Sequence, residues 1–420
     1  MRALAIAAIV AALVLDTPAL ASQVHVVATQ PGPGVDFKSI SAAVAAAADG
    51  DVLLVKPGTY AEHVAVHGKS IAIASDSGGP VLITGSVKIE ALPASASFSM
   101  QGMHVIGSAG KAALRITDCA GSVLLEGCKV DGGFGGGGWD APAGAAAVIT
   151  RSDAVTLVGC EARGGHGGHL SHTSDPFDSG GAGGAGLSIG ESKVTLHACV
   201  VLGGPGGGCD PGPCSGGSGA VGCYSSASTV HASASRFFGS PGGSGSGPFG
   251  IGSPAVPLSV HAASTLELVA CLASSDYLPD TWSSIKSDAS SSVSQFAIAP
   301  VELAVSAPSQ VGVKPLREGE AGTLEISGAT GALALLLVAP SFAYTSNPSW
   351  LGTALIGAPL TVLPLGVLGA SASVSIPFTV PDQGAGIEVT LVHLQAATID
   401  AQGALQLGAH RLAALLDASF

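Results

Sequence analysis

Hydrophobic and polar positions between residues 40 and 73 follow two different periods. Ile40, Val44 and Ala47 repeat at the spacing of an α-helix, and this stripe stops at Asp49-Gly50, a common helix-terminating pair. The following segments instead show a continuous apolar run or strict alternation, which predicts β-strands. These strands lie around residues 52–55, 64–66 and 71–73. The pattern predicts one short helix followed by strands that are separated by Gly- and Pro-containing turns.

Five later segments share one alternating pattern. They recur every 32 to 39 residues, and a second short apolar strand precedes each of them. The segments are SVLLEGCKVDGG from Ser122, AVTLVGCEARGG from Ala154, KVTLHACVVLGG from Lys193, TVHASASRFFGS from Thr229 and TLELVACLASSD from Thr265. A strand, a small-residue turn and another strand at a nearly fixed period indicate a solenoid, whose coils bury their inward faces against their neighbours.

Alternation within these segments assigns the side chains to two faces. The small or apolar positions are predicted to point inward: Cys128/Val130, Cys160/Ala162, Cys199/Val201, Ser235/Phe237 and Cys271/Ala273. The opposite face carries Lys129, Asp131, Glu161 and Arg163. Because stacked coils lie about 4.8 Å apart, we expect Lys129 beside Glu161 and Asp131 beside Arg163.

The run DFKSISAAVAAAADGDVLLVKPGTYAEHVAVHGKSIAIASD from Asp36 resembles the start of right-handed parallel β-helix proteins of the pectin-lyase-like superfamily. The resemblance implies an all-β fold, in which the short helix caps a right-handed parallel β-helix over residues 22–295. Its implication for activity is weaker, because a fold by itself does not define a reaction.

Residues 300–420 carry alternating strands with Gly/Pro turns, including SASVSIPFTVPDQGAGIEVTLVHLQAATIDAQGALQLGAHRLAALL. This cadence resembles a small C-terminal β-sandwich module of secreted bacterial proteins. We expect it to be non-catalytic, with His393 and His410 lacking nearby partners. Surface attachment, secretion sorting and adhesion are its alternative roles.

The first 21 residues have the pattern of a secretory signal peptide. Arg2 precedes an apolar stretch from Leu4 to Leu15, and Ala19-Leu20-Ala21 is a small-x-small ending, so we expect cleavage before Ser22 and a secreted or cell-surface protein without a later transmembrane segment. The formal charge of −13 with only 16 Lys and Arg argues against nucleic acid as a partner. The oligomeric state stays open.

Glycine-rich insertions follow the strands that carry the charged face. They begin at Gly132, Gly164, Gly203 and Gly239, so we expect them to stack as one ridge beside that face, with a mobile or unusual backbone. Much of the scarce aromatic content lies in or just after these insertions: Phe134, Trp139, Phe177, Phe249, Tyr277 and Trp282. Such rings either contact a glycan or pin the loops onto the solenoid.

The cysteines fall into two groups. Cys209 and Cys214, within one CDPGPC turn, are the predicted disulfide of an exported protein. Cys128, Cys160 and Cys199 occupy equivalent inward positions on consecutive coils, where cysteine serves as a small hydrophobe and where one neighbouring pair could also be bridged.

Two candidate sites contain ionisable residues. The loop residues His166, His169, His172, Asp175 and Asp178 are a candidate site for a divalent metal, with a polar loop without a ligand as the alternative. On the charged face, the resemblance implies Arg163 as a catalytic base, with Asp131 and Glu161 as calcium ligands beside Lys129; the alternative is a solvated lattice of ion pairs. No cofactor is certain, and calcium or another divalent ion is the candidate.

Three functions remain open from the sequence. The leading hypothesis is a non-catalytic extracellular solenoid that contacts polysaccharide or a cell-surface glycan through its glycine-rich ridge. The second is a polysaccharide lyase or related carbohydrate-active enzyme that uses the face of Lys129 and Arg163. The third is a structural or self-associating surface protein, which the low charged fraction of 11% also permits.

Overall fold

A computed structural model describes residues 22–76, 79–136, 141–171, 179–210, 214–245, 250–274, 285–306, 315–347, 349–384 and 386–420. Three long parallel sheets dominate it, and successive strands visit them in turn. Sheet A contains β1 (Val24–Val27), β2 (Val52–Val55), β5 (Ala72–Ser75), β8 (Ser97–Gln101), β11 (Ser122–Glu126), β14 (Ala154–Val158), β18 (Lys193–His197), β22 (Thr229–Ser233), β25 (Thr265–Val269) and β28 (Ser292–Phe296).

Sheets B and C complete each coil. Sheet B contains β3 (Gly58–Tyr60), β6 (Val81–Thr84), β9 (Met103–Ile106), β12 (Lys129–Asp131), β15 (Glu161–Arg163), β19 (Val200–Leu202), β23 (Arg236–Phe238) and β26 (Leu272–Ser274). Sheet C contains β4 (Val64–His67), β7 (Val87–Glu90), β10 (Leu114–Thr117), β13 (Ala147–Thr150), β17 (Leu187–Gly190), β21 (Cys223–Ser226), β24 (Leu258–His261) and β27 (Ile285–Ser287). The chain from β1 to β28 forms a right-handed parallel β-helix, which has the hand that parallel crossovers adopt.

One hydrophobic core fills the solenoid, and its first end is covered by the helix α1 (Ile40–Ala46). Ser39 caps α1 by accepting the N–H of Ala42, and Ile40, Ala43 and Val44 are buried. The inward positions predicted from the sequence are confirmed in four coils, because Cys128, Val130, Cys160, Ala162, Cys199, Val201 and Phe237 are all at most 3% exposed. In the last coil, Cys271 and Ala273 are only partly buried.

The corner from sheet A to sheet B explains why the inward position there is held by cysteine in four coils and by serine in one, at Cys128, Cys160, Cys199, Ser235 and Cys271. The residue before each one has a positive φ, including the alanines Ala198 and Ala234. The next side chain turns inward and donates to the carbonyl two residues earlier, Cys160 Sγ to Val158 at 3.4 Å and Ser235 Oγ to Ser233 at 2.9 Å. The inward thiols are therefore unbridged hydrogen-bond donors as well as small hydrophobes.

The chain after β28 forms further sheets. A three-stranded sheet contains β29 (Glu302–Ser306), β31 (Ala321–Ser327) and β36 (Ser373–Thr379). A five-stranded sheet contains β30 (Leu316–Arg317), β38 (Leu405–Leu416), β37 (Val389–Ile399), β32 (Leu333–Ala339) and β35 (Thr361–Val367). Both sheets contribute to one core. Two short strand pairs belong to none of these sheets. One, within the glycine-rich insertions of the solenoid, joins β16 (Leu170–Ser171) and β20 (Cys209–Asp210); the other joins β33 (Thr345–Ser346) and β34 (Thr353–Ala354).

This second region packs against the outward face of sheet A. Arg411 of β38 donates to Glu126 at 2.8 Å, and the same carboxylate accepts Gln101 Nε2 at 3.0 Å. The side chain of Glu126 is only 1% exposed. Apolar contacts, such as those of Leu54 and Leu416, extend the interface. The sequence did not indicate which solenoid face would be covered.

The expectation that His393 and His410 lack partners is wrong. Their rings lie in contact with each other, Nδ1 of His393 being 3.1 Å from Nε2 of His410. Phe342 packs edge-on against both rings. Burial lowers the pKa of His393 to about 4. The pair is thus a buried, neutral contact, which adjacent strands create by juxtaposing residues 17 positions apart.

Candidate functional site

The charged face of sheet B continues into the glycine-rich insertions as one surface, which we call the wall. The outward residues of β12, β15, β19 and β23 form its first half. The insertions contribute exposed or half-exposed side chains beyond the strands. The wall consists of Lys129, Asp131, Phe134, Glu161, Arg163, His166, His169, Val200, Leu202, Pro205, Arg236, Phe238 and Pro241.

The insertions are hydrogen-bonded to one another with a period of three residues. Gly203 and Gly206 donate to the next coil, at Phe238 O and Pro241 O. Gly204 and Gly207 donate to the preceding insertion, in the part that leads back to the solenoid, at Gly184 O (2.7 Å) and Gly181 O (2.8 Å). The residue at every third position, between these pairs of donors, such as Pro205, donates to neither the next coil nor the preceding insertion, so proline is accepted there. This hydrogen-bonding period equals the three residues per turn of a polyproline II helix.

Glycine is required where two backbones touch. A Cβ at Gly204 would overlap the carbonyl oxygen of Gly165, and a Cβ at Gly207 would overlap that of Gly168. We call this layered arrangement the glycine bundle, formed by residues 132–136, 141–145, 164–169, 179–185, 203–208, 214–220, 239–245 and 250–255. In their described residues, the insertions therefore stack against one another, and the glycine backbones of neighbouring coils touch.

The bundle determines which insertion residues can reach a ligand. Its third positions point outward, and they hold Phe134, His166, Pro205 and Pro241, one in each of four successive coils. Phe134 is 64% exposed. Because hydrogen bonds fix the backbone on both sides of each third position, these side chains project from a preorganised surface.

The predicted cross-coil register of the ionic cluster is confirmed: Lys129 pairs with Glu161 and Asp131 with Arg163. The ion pairs run mainly along the strands, however. Lys129 Nζ lies 3.6 Å from Asp131, and the guanidinium of Arg163 donates to Glu161. Alternate residues of one strand share a face and therefore reach each other as easily as residues on neighbouring coils.

Asp131 has the most contacts of the four. Its Oδ2 lies 2.7 Å from Nε2 of His104 on the preceding coil. Partial burial opposes ionisation, but the hydrogen bond from His104 and the charges of Lys129 and Arg163 outweigh it and lower the pKa of Asp131. This carboxylate is ionised at neutral pH and is occupied by cationic and imidazole partners.

Most of the other predicted site residues lie outside the described part of the chain. Of the six aromatic residues, Trp139, Phe177, Phe249, Tyr277 and Trp282 fall there, and so do His172, Asp175 and Asp178 of the candidate metal loop. His166 and His169 are exposed. Within the described ranges, no group of three or more His, Cys, Asp or Glu side chains is arranged to hold a metal ion.

The predicted disulfide between Cys209 and Cys214 is confirmed, with a Cα–Cα distance of 6.2 Å. The bond lies within the third insertion, and both cysteines are buried. Across the described segments, no helix is long and apolar enough to cross a membrane.

Sequence reasoning missed the far end of the wall. Arg236 is exposed there, and Phe238 is half-exposed one position beyond Leu202 in the cross-coil column. The alternation that exposed Lys129 and Asp131 predicted their outward direction too. The signal that would have added them to the site is in the sequence, because the insertion that begins at Gly239 directly follows Phe238 and was expected to stack with the other insertions.

No family model matches the chain, and no curated protein sequence matches it. Among solved structures, it is similar to pectin methylesterase PemA from Erwinia chrysanthemi, with 13% identity, a TM-score of 0.34, and coverage of 59% of this chain and 78% of that one. It is also similar to a pectin methylesterase in complex with hexasaccharide VII, with 14% identity, a TM-score of 0.30, and coverage of 59% of this chain and 78% of that one. A third similar structure is pectate lyase Pel9A, with 14% identity, a TM-score of 0.34, and coverage of 66% of this chain and 78% of that one. The likeness concerns the parallel β-helix fold, and no residue role or activity passes from these enzymes to this chain.

Proposed function

We propose that the protein is exported and binds polysaccharide or a cell-surface glycan through the wall, without catalysing a reaction there. The observation that carries this proposal is the exposed ring of Phe134, 64% accessible, beside the ion-paired side chains of Lys129 and Asp131. Sugar rings pack their apolar faces on aromatic rings, while polar groups hydrogen-bond the hydroxyls at the rim.

The length of the wall suits a polymer better than a small molecule. Phe134 and Phe238 lie on the first and fourth of its coils, which are about 14 Å apart along the solenoid axis at a strand spacing of about 4.8 Å. Arg163 lies on the second coil and Arg236 on the fourth, so both apolar and cationic groups occur along the solenoid axis. A preorganised surface loses little conformational entropy on binding.

The enzymatic alternative is a lyase in which Arg163 acts as the base and Asp131 and Glu161 hold calcium. Both carboxylates already contact cationic partners, Lys129 and Arg163. Calcium prefers six to eight oxygen ligands. These contacts favour binding over catalysis at the wall.

Export is part of the same proposal. The signal-like first 21 residues motivate it, and the bond between Cys209 and Cys214 is of the kind that persists in oxidising compartments. The third possibility, a purely structural surface protein, predicts no ligand at all.

A glycan-array screen of the mature chain, followed by affinity electrophoresis on the glycans that score, tests the proposal. We expect binding that Phe134→Ala weakens about tenfold, since losing one stacked ring removes about 1.4 kcal/mol. Phe296→Ala is the matched control, because Phe296 is also exposed (37%) but lies in β28 of sheet A, away from the wall.

The same glycans, incubated with calcium and monitored for unsaturated products, separate the alternatives. Product formation that Arg163→Ala abolishes would favour the lyase. A blank array together with no turnover would leave the structural role.

A further inference from the structure

Serine, histidine and aspartate side chains meet on the outward face of sheet C. Ser259 Oγ lies 2.8 Å from Nε2 of His261. On the other side of the ring, Nδ1 of His261 lies 3.8 Å from Oδ2 of Asp288. The hydroxyl, imidazole and carboxylate thus stand in the order that activates a serine nucleophile.

The solenoid geometry creates this order. Ser259 and His261 are alternate residues of β24 and therefore share a face. The parallel pairing of Val260 with Ser287 brings the next residue, Asp288, alongside His261. Because the three come from two coils, the arrangement depends on strand stacking and not on a local motif.

The orientation of Asp288 is fixed independently of the histidine. Its carboxylate accepts the N–H of Ala262 at 2.8 Å and the hydroxyl of Ser290 at 2.8 Å. These hydrogen bonds lower the pKa of Asp288. A fixed anion facing Nδ1 favours the tautomer whose Nε2 can accept the serine proton.

An aromatic ring and a cationic side chain lie next to Ser259. Tyr224 stacks on His261, with ring centroids 5.5 Å apart and an angle of 29°. Ser259 is 6% exposed, and the side chain of His261 is 30% exposed. Strand register places Tyr224 and Lys286 on either side of Ser259. Lys286 is exposed, so its ammonium can approach an oxyanion that develops at this serine.

We propose that Ser259, His261 and Asp288 form a hydrolytic site for esters, on a face separate from the wall. Ser259 Oγ would attack the ester carbonyl carbon while its proton passes to His261 Nε2, and the C–O bond to the leaving alcohol would break as the imidazolium returns that proton. Water would then attack the acyl-serine carbonyl carbon and give a proton to His261, which passes it to Ser259 Oγ as the acyl–oxygen bond breaks and the carboxylic acid is released. The cycle consumes one water and involves no redox change. Asp288 acts as a positioning residue.

A fluorophosphonate probe tests this directly on the full mature chain. We expect one phosphonylated peptide, modified at Ser259, and hydrolysis of p-nitrophenyl acetate that Ser259→Ala abolishes. His261→Gln should slow both labelling and hydrolysis about a thousandfold. Asp288→Asn should lower the hydrolysis rate but leave the Michaelis constant nearly unchanged, as a positioning role requires.

Ser86 is the matched control, because its Oγ lies 2.9 Å from Nδ1 of His63 and the described residues place no carboxylate in an ion pair with that ring. Ser86 should stay unlabelled, and Ser86→Ala should leave the hydrolysis rate unchanged. Circular dichroism melts establish that each variant is folded. Absence of a Ser259 adduct in the folded parent chain, or an adduct that forms equally fast in His261→Gln, would overturn the proposal.

Discussion

The outward faces of sheets A and B differ although both belong to the same coils. On sheet B, the ion pair of Lys129 and Asp131 is exposed to solvent, with side chains 39% and 24% accessible. On sheet A, Glu126 is 1% exposed, and the C-terminal region covers it and supplies Arg411. One face is left free for a ligand, and the other is an internal interface.

The comparison shows that charge on a solenoid face does not by itself indicate a site. A buried ion pair is costly to break, since the remaining charge has no solvent, whereas an exposed pair contributes little to stability. Breaking an ion pair on the wall, for example when a ligand displaces one partner, therefore leaves the fold stable. Breaking the ion pair on the covered face destabilises the fold.

The largest expected effect is at the covered face. Glu126→Gln leaves Arg411 without its anion and should lower the free energy of unfolding by about 3–5 kcal/mol. Its matched control is Glu161→Gln on the wall, where we expect less than about 1 kcal/mol. Urea denaturation followed by circular dichroism measures both. Equal effects at the two positions would remove the distinction between the faces.

The next largest effect concerns the backing of the wall. Gly204→Ala places a methyl group against the backbone of Gly165, which should cost about 3 kcal/mol by overpacking. Gly190→Ala is the control, because its new Cβ would meet nothing nearer than Thr150 Cγ2 at 3.6 Å. Thermal melts of the two variants compare them. If Gly204→Ala melts like the parent protein, the bundle is looser than the hydrogen bonds indicate.

As the pH falls, the groups at the covered face should lower the free energy of unfolding at a higher pH than the groups of the wall do. Burial lowers the pKa of His197 and of His393 to about 4, below the ordinary value of about 6.5. Between these limits the unfolded chain binds protons that the folded chain does not. Stability is therefore complete above pH ~6.5 and falls as the pH drops, by up to about 1.4 kcal/mol per pH unit for each histidine.

Urea midpoints between pH 7 and 4 measure this slope. The double variant His393→Gln/His410→Gln should reduce the slope to the part that His197 contributes, while His67→Gln, at an exposed position (73%), should leave it unchanged. The wall behaves differently, because the lowered pKa of Asp131 contributes stability that is lost only as the pH falls below about 4. A slope that the double variant leaves unchanged would contradict the assignment.

The smallest effect is expected within the wall itself. A double-mutant cycle of Lys129→Ala and Asp131→Asn should give a coupling free energy below about 1 kcal/mol. The same cycle on Glu126 and Arg411 should give a clearly larger value. Denaturant titration of all single and double variants supplies both numbers, and a larger coupling at the wall would reverse the comparison.

Much of the solenoid could be predicted from the sequence, because its signals are local. Alternation identified the inward positions of Cys160 and Ala162, and repeat alignment predicted the register of Lys129 with Glu161. The disulfide of Cys209 and Cys214 followed from a short turn. The partners of His393 and the cover over Glu126 could not be predicted, because no local pattern encodes them.

The sequence by itself therefore determined the coil, its inward and outward faces, and the corner where the glycine-rich insertions leave. The tertiary structure alone decided which outward face is covered and how closely the insertions pack. Glu126 and Arg411 are 285 residues apart in the chain, and the bundle joins the backbones of insertions from neighbouring coils. The physical reason is range. Side-chain period and turn chemistry act over a few residues, whereas burial of a charge and close contact of two glycine backbones depend on which distant segments meet.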